Sequence, residues 1–173
     1  SEQKVKKSRT SMAKDEFFVA RSKSGIYIRV HGLGNMYNAP TFNAFAEKMM
    51  ADGYSRFVID LGPCRGVDST FMGTLLGMSS RAKEADGDGG LVLINVGDRC
   101  RNQLSSIGLD AFLTFRETPA KLPDVELRRL GGKEVSQKER LQLILRAHRD
   151  LVAVDKRNES KFGPFLRSIL KDI

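Results

Sequence analysis

The chain has 173 residues, of which 40% are hydrophobic and 29% are charged. This length and balance fit a globular protein with one domain and its extensions. No stretch approaches the roughly 18 consecutive apolar residues of a membrane span, and no signal-peptide pattern is present. We therefore expect a protein without a membrane segment, located in the cytoplasm.

The formal net charge of +8 is unevenly distributed along the chain. Residues 1–11 carry a net charge of +3, residues 12–120 hold 12 basic and 12 acidic side chains, and residues 121–173 hold 13 basic and 8 acidic ones. The predicted folded part is thus neutral, and the basic charge lies in the extensions. This distribution argues against a nucleic-acid-binding groove across the domain.

Residues 1–15 are predicted to be a disordered arm, or an arm derived in part from a cloning vector. The first 11 residues are polar, basic and aperiodic, which is typical of a segment that cannot bury an apolar face. A solubilising role is favoured for this arm over contact with nucleic acid or with a membrane.

The first predicted elements are a β-hairpin and a helix. A short apolar run at 17–20 and an alternating run at 26–31 flank a turn at Ser22–Gly25, which is typical of two antiparallel strands. A helix follows, and its predicted apolar face consists of Phe42, Phe45, Ala46, Met49 and Met50.

The stretch 56–85 combines a buried strand with an amphipathic helix. The apolar run 57–59 ends before Gly62–Pro63, which is typical of a short buried strand. The predicted helix that follows has an apolar face of Phe71, Met72, Leu75 and Leu76. Gly73 and Gly77 on this helix are expected to allow close packing on the sheet.

The next elements complete an α/β pattern. The run 91–96 is an almost unbroken apolar strand of the kind that is buried on both faces. A short helix ends at Gly108, and residues 111–115 are predicted to be the last strand. Two hairpin strands followed by alternating helices and strands predict an α/β fold whose helices lie chiefly on one face of the sheet.

Residues 119–133 are predicted to be a linker because they contain Pro119, Pro123 and Gly131–Gly132. Within this linker, residues 125–127 are a candidate edge strand.

Residues 134–173 predict a C-terminal helical extension. Ser136 and Glu139 form a capping box, which is a helix-start signal. The apolar stripe of the first helix contains Leu141, Ile144, Leu145, His148, Leu151 and Val152. The stripe of the second contains Phe162, Phe165, Leu166, Ile169 and Ile173. The helical hairpin must bury these stripes on the open face of the sheet, on a second copy of the chain or in a partner's groove.

Asp68 and Ser69 lie between the predicted strand and the predicted helix of the stretch 56–85. A helix N-terminus has unpaired N–H groups and the positive end of the helix dipole, so it tolerates an anion. Ser69 is therefore either an ordinary N-cap, which contributes about 1 kcal/mol, or a serine that carries a regulatory phosphate. The spacing alone favours capping.

The segment V-D-S-T-F-M-G-T-L-L-G, which follows F-V-I-D-L, resembles the phosphorylatable loop of the STAS domain, the sulfate transporter and anti-sigma-factor antagonist family. Members typically read D-[ST]-[ST]-G-L-G at this strand–helix junction. The matching positions are Asp68, Ser69, Thr70 and Gly73. Phe71 and Met72 replace the usual Gly and Leu. An I-G-L-D segment at 107–110 resembles the family's last helix–strand junction.

The resemblance implies a STAS-like mixed sheet over residues 16–118 and a phosphorylation-regulated, anti-sigma-factor-antagonist-like function. In antagonists an anti-sigma serine kinase phosphorylates the residue after the Asp, so Ser69 is the predicted phosphorylation site. The predicted partner-binding residues are Asp68, Ser69, Thr70, Phe71 and Met72. The unmodified protein would bind the kinase and displace a sigma factor. Phosphate on Ser69 would weaken that complex by charge repulsion and desolvation.

One departure from the family keeps an alternative open. Family members carry an acidic Gly-Glu-Leu-Asp-like segment near the phosphosite, whereas here Gly34 is followed by Asn35–Tyr37. The alternative is a non-catalytic scaffold or oligomerisation domain of STAS fold with a vestigial phosphosite. A homodimer through the C-terminal helices belongs to this alternative.

The sequence predicts no catalytic residue, no metal site and no cofactor. Ser69 is the one candidate nucleophile in a special position, but no Gly-x-Ser-x-Gly elbow surrounds it. The two histidines belong to no recognisable triad, and there is no P-loop, no H-E-x-x-H and no Ca²⁺ loop. Cys64 and Cys100 have no Cys or His at metal-binding spacing, so we expect free thiols in a reducing compartment.

Overall fold

The computed structural model describes residues 14–132 and 134–172. Residues 1–13 of the predicted arm lie outside the described residues, and so does Ile173. The strands are β1 (Glu16–Ser22), β2 (Gly25–Gly34), β3 (Arg56–Asp60), β4 (Cys64–Val67), β5 (Gly90–Ile94), β6 (Thr114–Phe115) and β7 (Arg128–Arg129). The helices are α1 (Ala39–Ala51), α2 (Ser69–Ala85), α3 (Asp98–Ser106), α4 (Gln137–Val154) and α5 (Arg157–Asp172).

The strands form one mixed sheet in the order β6-β5-β3-β2-β1-β7, and β4 pairs with the end of β2. The β1–β2 hairpin is antiparallel, whereas β2, β3, β5 and β6 are mutually parallel. Parallel neighbours need crossover connections, and α1, α2 and α3 supply them. The predicted α/β fold, with a mixed sheet, helices chiefly on one face and a C-terminal helical hairpin, is confirmed.

The core is anchored by an aromatic cluster at the start of α2. Phe17 of β1, Phe42 of α1 and Phe71 of α2 meet there, with ring centroids 5.4 Å apart for Phe17–Phe42 and 4.9 Å apart for Phe42–Phe71. Such tilted pairs contribute about 0.5–1.5 kcal/mol beyond their buried area. A Cβ at Gly34 would lie 2.7 Å from the Phe71 ring, so the ring packs directly on the β2 main chain. These contacts fix the position of the first turn of α2.

Helix α2 is buried on more than the one face that its sequence predicts. Every residue from Thr70 through Ser79 is buried, because β5 and α4 both pack against this helix. The prediction that Gly73 and Gly77 face the sheet is wrong. A Cβ at Gly73 would lie 2.7 Å from the carbonyl carbon of Ala147, and one at Gly77 would lie 3.0 Å from the carboxylate of Asp150, both in α4. Gly73 therefore lets the α4 main chain approach α2 closely, whereas Gly77 faces only the ends of side chains.

The α4–α5 hairpin packs on α2, not on the open face of the sheet. Its start follows the predicted capping box, since Ser136 accepts a hydrogen bond from the N–H of Glu139 at 3.1 Å. Asn158 is 1% exposed and donates hydrogen bonds to the carbonyl oxygens of Ile107 at 3.1 Å and Leu151 at 2.9 Å. These bonds fasten the start of α5 both to the last turn of α4 and to the end of α3.

The predicted last strand over residues 111–115 is only partly correct. Leu109–Ala111 forms a 3₁₀ helix, and the strand is limited to Thr114–Phe115. The chain turns between α3 and the 3₁₀ helix at Gly108, where φ is 80°, a backbone conformation that glycine adopts without strain. The 3₁₀ helix therefore includes Ala111, which the apolar pattern assigns to the strand.

The predicted linker contains a short strand, although not at the predicted residues. The candidate edge strand at 125–127 is displaced to Arg128–Arg129, where β7 pairs with Phe18 and Val19 of β1. Both arginines are exposed. Charged side chains on a short edge strand disfavour pairing with another chain.

The substitution Gly73→Ala tests how far the position of α4 depends on this close approach. Alanine favours the helix over glycine by about 0.8–1.0 kcal/mol, but its Cβ would overlap the Ala147 main chain. Overpacking of this kind costs about 1–3 kcal/mol. Helix propensity offsets part of this cost, so we expect a net loss of up to about 2 kcal/mol in the free energy of unfolding, measured by urea denaturation.

Gly77→Ala is the matched control for Gly73→Ala. Its added Cβ would meet only the side-chain ends of Asp150 at 3.0 Å and Arg81 at 3.1 Å, and these can rotate away. We expect unchanged or increased stability from the helix propensity of alanine. Equal destabilisation by both substitutions would contradict the special role of Gly73.

Candidate functional site

Asp68 is the N-cap of α2. Its backbone has φ −96° and ψ 175°, and its Oδ1 accepts a hydrogen bond from the N–H of Phe71 at 2.8 Å. Its Oδ2 accepts a second hydrogen bond, also of 2.8 Å, from the N–H of Met36 in the loop between β2 and α1. The alternative in which Ser69 caps this helix is wrong, because Asp68 occupies the cap position and Ser69 is the first helical residue.

The Asp68 carboxylate lies in a partly desolvated site. Burial raises the pKa of Asp68 above its usual value, while the hydrogen bonds from Phe71 and Met36 and the neighbouring His148 act in the opposite direction. The N–H groups of Phe71 and Met36 thus partly offset the cost of holding one negative charge at a place with restricted access to water, but burial outweighs them. A second negative charge on Ser69 would lie next to the first and repel it.

The Ser69 hydroxyl forms a hydrogen bond with His148 of α4, with Oγ and Nε2 2.7 Å apart. The other ring nitrogen, Nδ1, lies 2.7 Å from the carbonyl oxygen of Ile144. Since a carbonyl oxygen can only accept, Nδ1 carries the proton of the neutral ring. Nε2 is then the acceptor, and the Ser69 hydroxyl donates to it.

His148 is fully buried, with 0% of its surface exposed. The rings of Phe162 and Phe165 in α5 lie against it, with centroids 5.0 Å and 4.8 Å from its own. Burial lowers the pKa of His148 below its usual value, and the hydrogen bond to Ile144 and the charge of Asp68 oppose this shift. The ring is therefore neutral near pH 7, as its bond with Ser69 requires.

The remaining predicted partner-binding residues belong to the interior. Thr70, Phe71 and Met72 are exposed by 2%, 0% and 5%. Phe71 lies in the aromatic cluster with Phe17 and Phe42. While the helices keep this packing, these side chains do not reach a partner, and their role in partner binding stays a prediction.

The loop that departs from the family pattern holds the cap in place. Met36 in this loop gives Asp68 its second hydrogen bond. Tyr37 is 66% exposed, and the guanidinium carbon of Arg140 in α4 lies 5.6 Å from its ring centroid. Asn35 and Asn38 turn the loop through hydrogen bonds to its own main chain. The loop therefore contacts the cap of α2 and the first turn of α4.

The sequence places His148 in an apolar stripe but contains no direct sign that it meets Ser69, 79 residues earlier. One signal was available: a titratable side chain in a buried stripe needs a hydrogen-bond partner. That signal marks His148 as unusual without identifying the residue that it contacts.

The Ser69–His148 pair resembles part of a catalytic triad without completing one. Nδ1 of His148 bonds to the main-chain carbonyl of Ile144, whereas a triad needs a carboxylate there to orient the base. Within residues 14–132 and 134–172, no group of three or more His, Cys, Asp or Glu side chains is arranged to hold a metal ion. Over the same ranges, no helix has the length and apolar character needed to cross a bilayer.

The mixed sheet, its crossover helices and an Asp-Ser pair at a strand–helix junction define a class of domain. The STAS domain family model matches residues 18–122, which is more than half of the chain, and the chain therefore belongs to the STAS domain family. This match confirms the resemblance drawn from the sequence around Asp68 and Ser69.

Two solved structures show the same fold at low sequence identity. A candidate anti-sigma factor antagonist from Thermotoga maritima aligns with a TM-score of 0.54 and 17% identity, over 59% of this chain and 86% of that one. The anti-sigma factor antagonist SpoIIAA in its unphosphorylated form aligns with a TM-score of 0.51 and 19% identity, over 58% of this chain and 87% of that one. No curated protein sequence matches the chain.

The pH dependence of stability tests the environment of His148. Its pKa is lower in the folded chain than in the unfolded chain, so protons bind the unfolded chain more tightly. The stability contribution of the neutral ring is therefore complete above an unfolded pKa of about 6.5 and is lost as the pH falls towards the folded value. We expect the free energy of unfolding to fall by up to about 1.4 kcal/mol per pH unit in that window.

Two histidine variants separate this effect from the titration of carboxylates. His148→Gln retains a hydrogen-bond acceptor but cannot titrate, so its unfolding free energy is expected to lose this component of the pH dependence. His31→Gln removes the other histidine, which packs against Phe18, and is the comparison variant for the loss of a histidine. Identical profiles for wild type and His148→Gln would contradict the assignment.

Proposed function

We propose that this chain is a phosphorylation-regulated protein-binding module of the anti-sigma-factor-antagonist type, with Ser69 as the phosphorylated residue. The observation that carries this proposal is the position of Ser69. It follows Asp68 at the strand–helix junction of a STAS domain, in the first turn of α2. The N–H groups and dipole of a first helical turn favour an added phosphate.

The docked position of the C-terminal hairpin is incompatible with a phosphate on Ser69. The Ser69 hydroxyl is 2.7 Å from a ring that is fully buried between α4 and α5. A phosphate adds three oxygens and a charge of about −1.5 to −2. Enclosing that charge beside Asp68 would be very costly unless it were fully paired. Phosphorylation therefore requires α4 to move away from Ser69 and then keeps it away.

An anti-sigma serine kinase or a similar protein is the proposed partner. To reach Ser69 it has to displace α4, so the hairpin competes with the partner for the start of α2. Asp68 and Ser69 would form the centre of the exposed face. Thr70, Phe71 and Met72 would contribute where the departing helix uncovers them. Such a switch would regulate transcription in the bacterial cytoplasm, without catalysis by this chain.

A non-catalytic scaffold with a vestigial phosphosite is the second candidate function. Two observations favour it. The hydrogen bond to His148 gives Ser69 a structural role of its own. Phe165 and Leu170 of α5 are exposed by 40% and 50%, which suits an oligomer formed through the C-terminal helices.

Phosphorylation with a purified anti-sigma serine kinase and ATP separates the two candidates. We expect phosphate on Ser69, located by mass spectrometry, and none on Ser69→Ala. Gly73→Ala weakens the packing of α4 on α2, so its initial rate should exceed that of the wild type by up to about 30-fold, which corresponds to about 2 kcal/mol. Gly77→Ala should react at the wild-type rate.

Two results would decide against the switch. Phosphate that stays on Ser69→Ala would show that another residue is modified. An unmodified Ser69 in both Gly73→Ala and the wild type, with a kinase shown to be active on another antagonist, would favour the scaffold.

An acidic substitution tests whether charge at Ser69 expels the hairpin. Ser69→Glu places a second carboxylate beside Asp68 and removes the donor to His148. We expect faster hydrogen–deuterium exchange in residues 137–172 with little change in the β1–β3 region. Ser80→Glu is the matched control, because Ser80 lies on the exposed side of the same helix. Equal protection of the hairpin in both variants would mean that it tolerates charge at Ser69.

A further inference from the structure

Cys64 and Cys100, which the sequence presents as isolated thiols, lie side by side in the fold. Cys64 is the first residue of β4, and Cys100 lies in the first turn of α3. Their Sγ atoms are 3.7 Å apart, and neither is in a disulfide. The packing of α3 on β4 brings the two thiols together although 36 residues separate them.

The contact between β4 and α3 is held by bonds on either side of the thiols. The N–H of Val67 donates a hydrogen bond of 2.9 Å to Oε1 of Gln103 in α3. Gly66 has no side chain, and a Cβ at this position would lie only 3.3 Å from Nε of Arg99. The sulfur atoms therefore face each other in a tightly packed strand–helix contact.

The two thiols differ in accessibility and in acidity. Cys64 is partly exposed, whereas Cys100 is 1% exposed. A hydrogen bond from the Cys100 thiol lowers the pKa of Cys64 to about 7, and burial opposes this shift. The same hydrogen bond, followed by burial, raises the pKa of Cys100. One reachable thiolate thus lies in front of one enclosed thiol, an arrangement suited to an attacking and a resolving cysteine.

We propose that Cys64 and Cys100 are a peroxide-reactive dithiol that closes to an intramolecular disulfide. The Cys64 thiolate attacks one oxygen of hydrogen peroxide, an S–O bond forms as the O–O bond breaks, and hydroxide leaves. The Cys100 sulfur then attacks the Cys64 sulfur, the S–S bond forms as the S–O bond breaks, and the Cys100 proton leaves with the hydroxyl as water. The two sulfurs lose two electrons, and the peroxide gains them.

Local geometry supports both steps. The sulfurs must approach by about 1.7 Å to reach a disulfide length of about 2.05 Å, a distance that side-chain rotation and a small shift of α3 can supply. The first cause of the raised Cys100 pKa is its hydrogen bond with the Cys64 sulfur, followed by burial and then by the charge of Cys64, and oxidation of Cys64 removes both the thiolate acceptor and its charge. The resolving thiol is therefore released for attack only after the first step. This inference is independent of any role of Ser69.

Oxidation of the wild-type chain by a small excess of hydrogen peroxide tests the proposal. Peptide mapping without reductant should show a Cys64–Cys100 bond within one chain, with the loss of two hydrogens. At pH 7 the lowered pKa makes a larger fraction of Cys64 thiolate in the folded chain than in the unfolded chain. The thiolate of lower pKa is, however, a weaker nucleophile than the thiolate of an unfolded cysteine. We expect the folded chain to react about threefold faster than the chain unfolded in guanidinium.

Variants and a second probe separate the two roles. Cys100→Ser should stop at a sulfenic acid on Cys64 that dimedone traps, while Cys64→Ser should leave Cys100 reduced. Iodoacetamide labelling of the wild type, which needs no substitution, should show Cys64 reacting first. A disulfide between two chains, a sulfinic acid in place of the disulfide, or equal reaction rates for the folded and unfolded chains would overturn the proposal.

Discussion

The candidate site depends on the close approach of α2 and α4 at Gly73. Without a side chain at this position, the main chain of α4 reaches α2 at Ala147, one residue before His148. Ser69 lies four residues, or about one helical turn, before Gly73 on α2. The imidazole of His148 therefore reaches Ser69, with Nε2 2.7 Å from Oγ. A larger residue at position 73 would separate the helices, and the hydrogen bond between Ser69 and His148 would break. Gly73, which matches the STAS pattern, is therefore also the position that lets α4 approach α2 in this chain.

The electrostatics of the site allow one anion and one neutral hydrogen-bonded pair. Asp68 supplies the anion at the helix N-terminus, and His148 stays neutral because burial disfavours its charged form. A phosphate on Ser69 would disrupt the pair, whereas a proton on His148 would reverse its hydrogen bond, with Nε2–H donating to the Ser69 oxygen, and would bury a positive charge. Together they would attract each other, so each would favour the other if the hairpin stayed docked. Under the proposed function, the docking of α4 would therefore be coupled to both phosphorylation and pH.

Local patterns in the sequence were enough to predict strands β1, β2, β3 and β5, the helices of the domain and the C-terminal hairpin, but not the short strand β4 or the position of β7. They also identified Asp68 and Ser69, since a strand, an Asp-Ser pair and an apolar helix follow one another directly. They could not show which residue caps α2, because both neighbours are good caps and the choice depends on Met36 in a distant loop. The Ser69–His148 and Cys64–Cys100 contacts join residues far apart in the chain, so only the tertiary fold reveals them.

The hairpin sets the threshold for any partner that binds at Ser69. Its buried face includes Leu143, Ile144 and Leu151, and fully burying such a side chain contributes about 1.5–3 kcal/mol. The hydrogen bond between Ser69 and His148 contributes about 0.5–1.5 kcal/mol more. The apparent affinity of a partner is its intrinsic affinity multiplied by the fraction of chains in which the hairpin is undocked. Each 1.4 kcal/mol of docking free energy makes that fraction about tenfold smaller. A partner of moderate intrinsic affinity would therefore bind only after the hairpin is weakened, so the proposed kinase would have to displace α4 before Ser69 carries a phosphate.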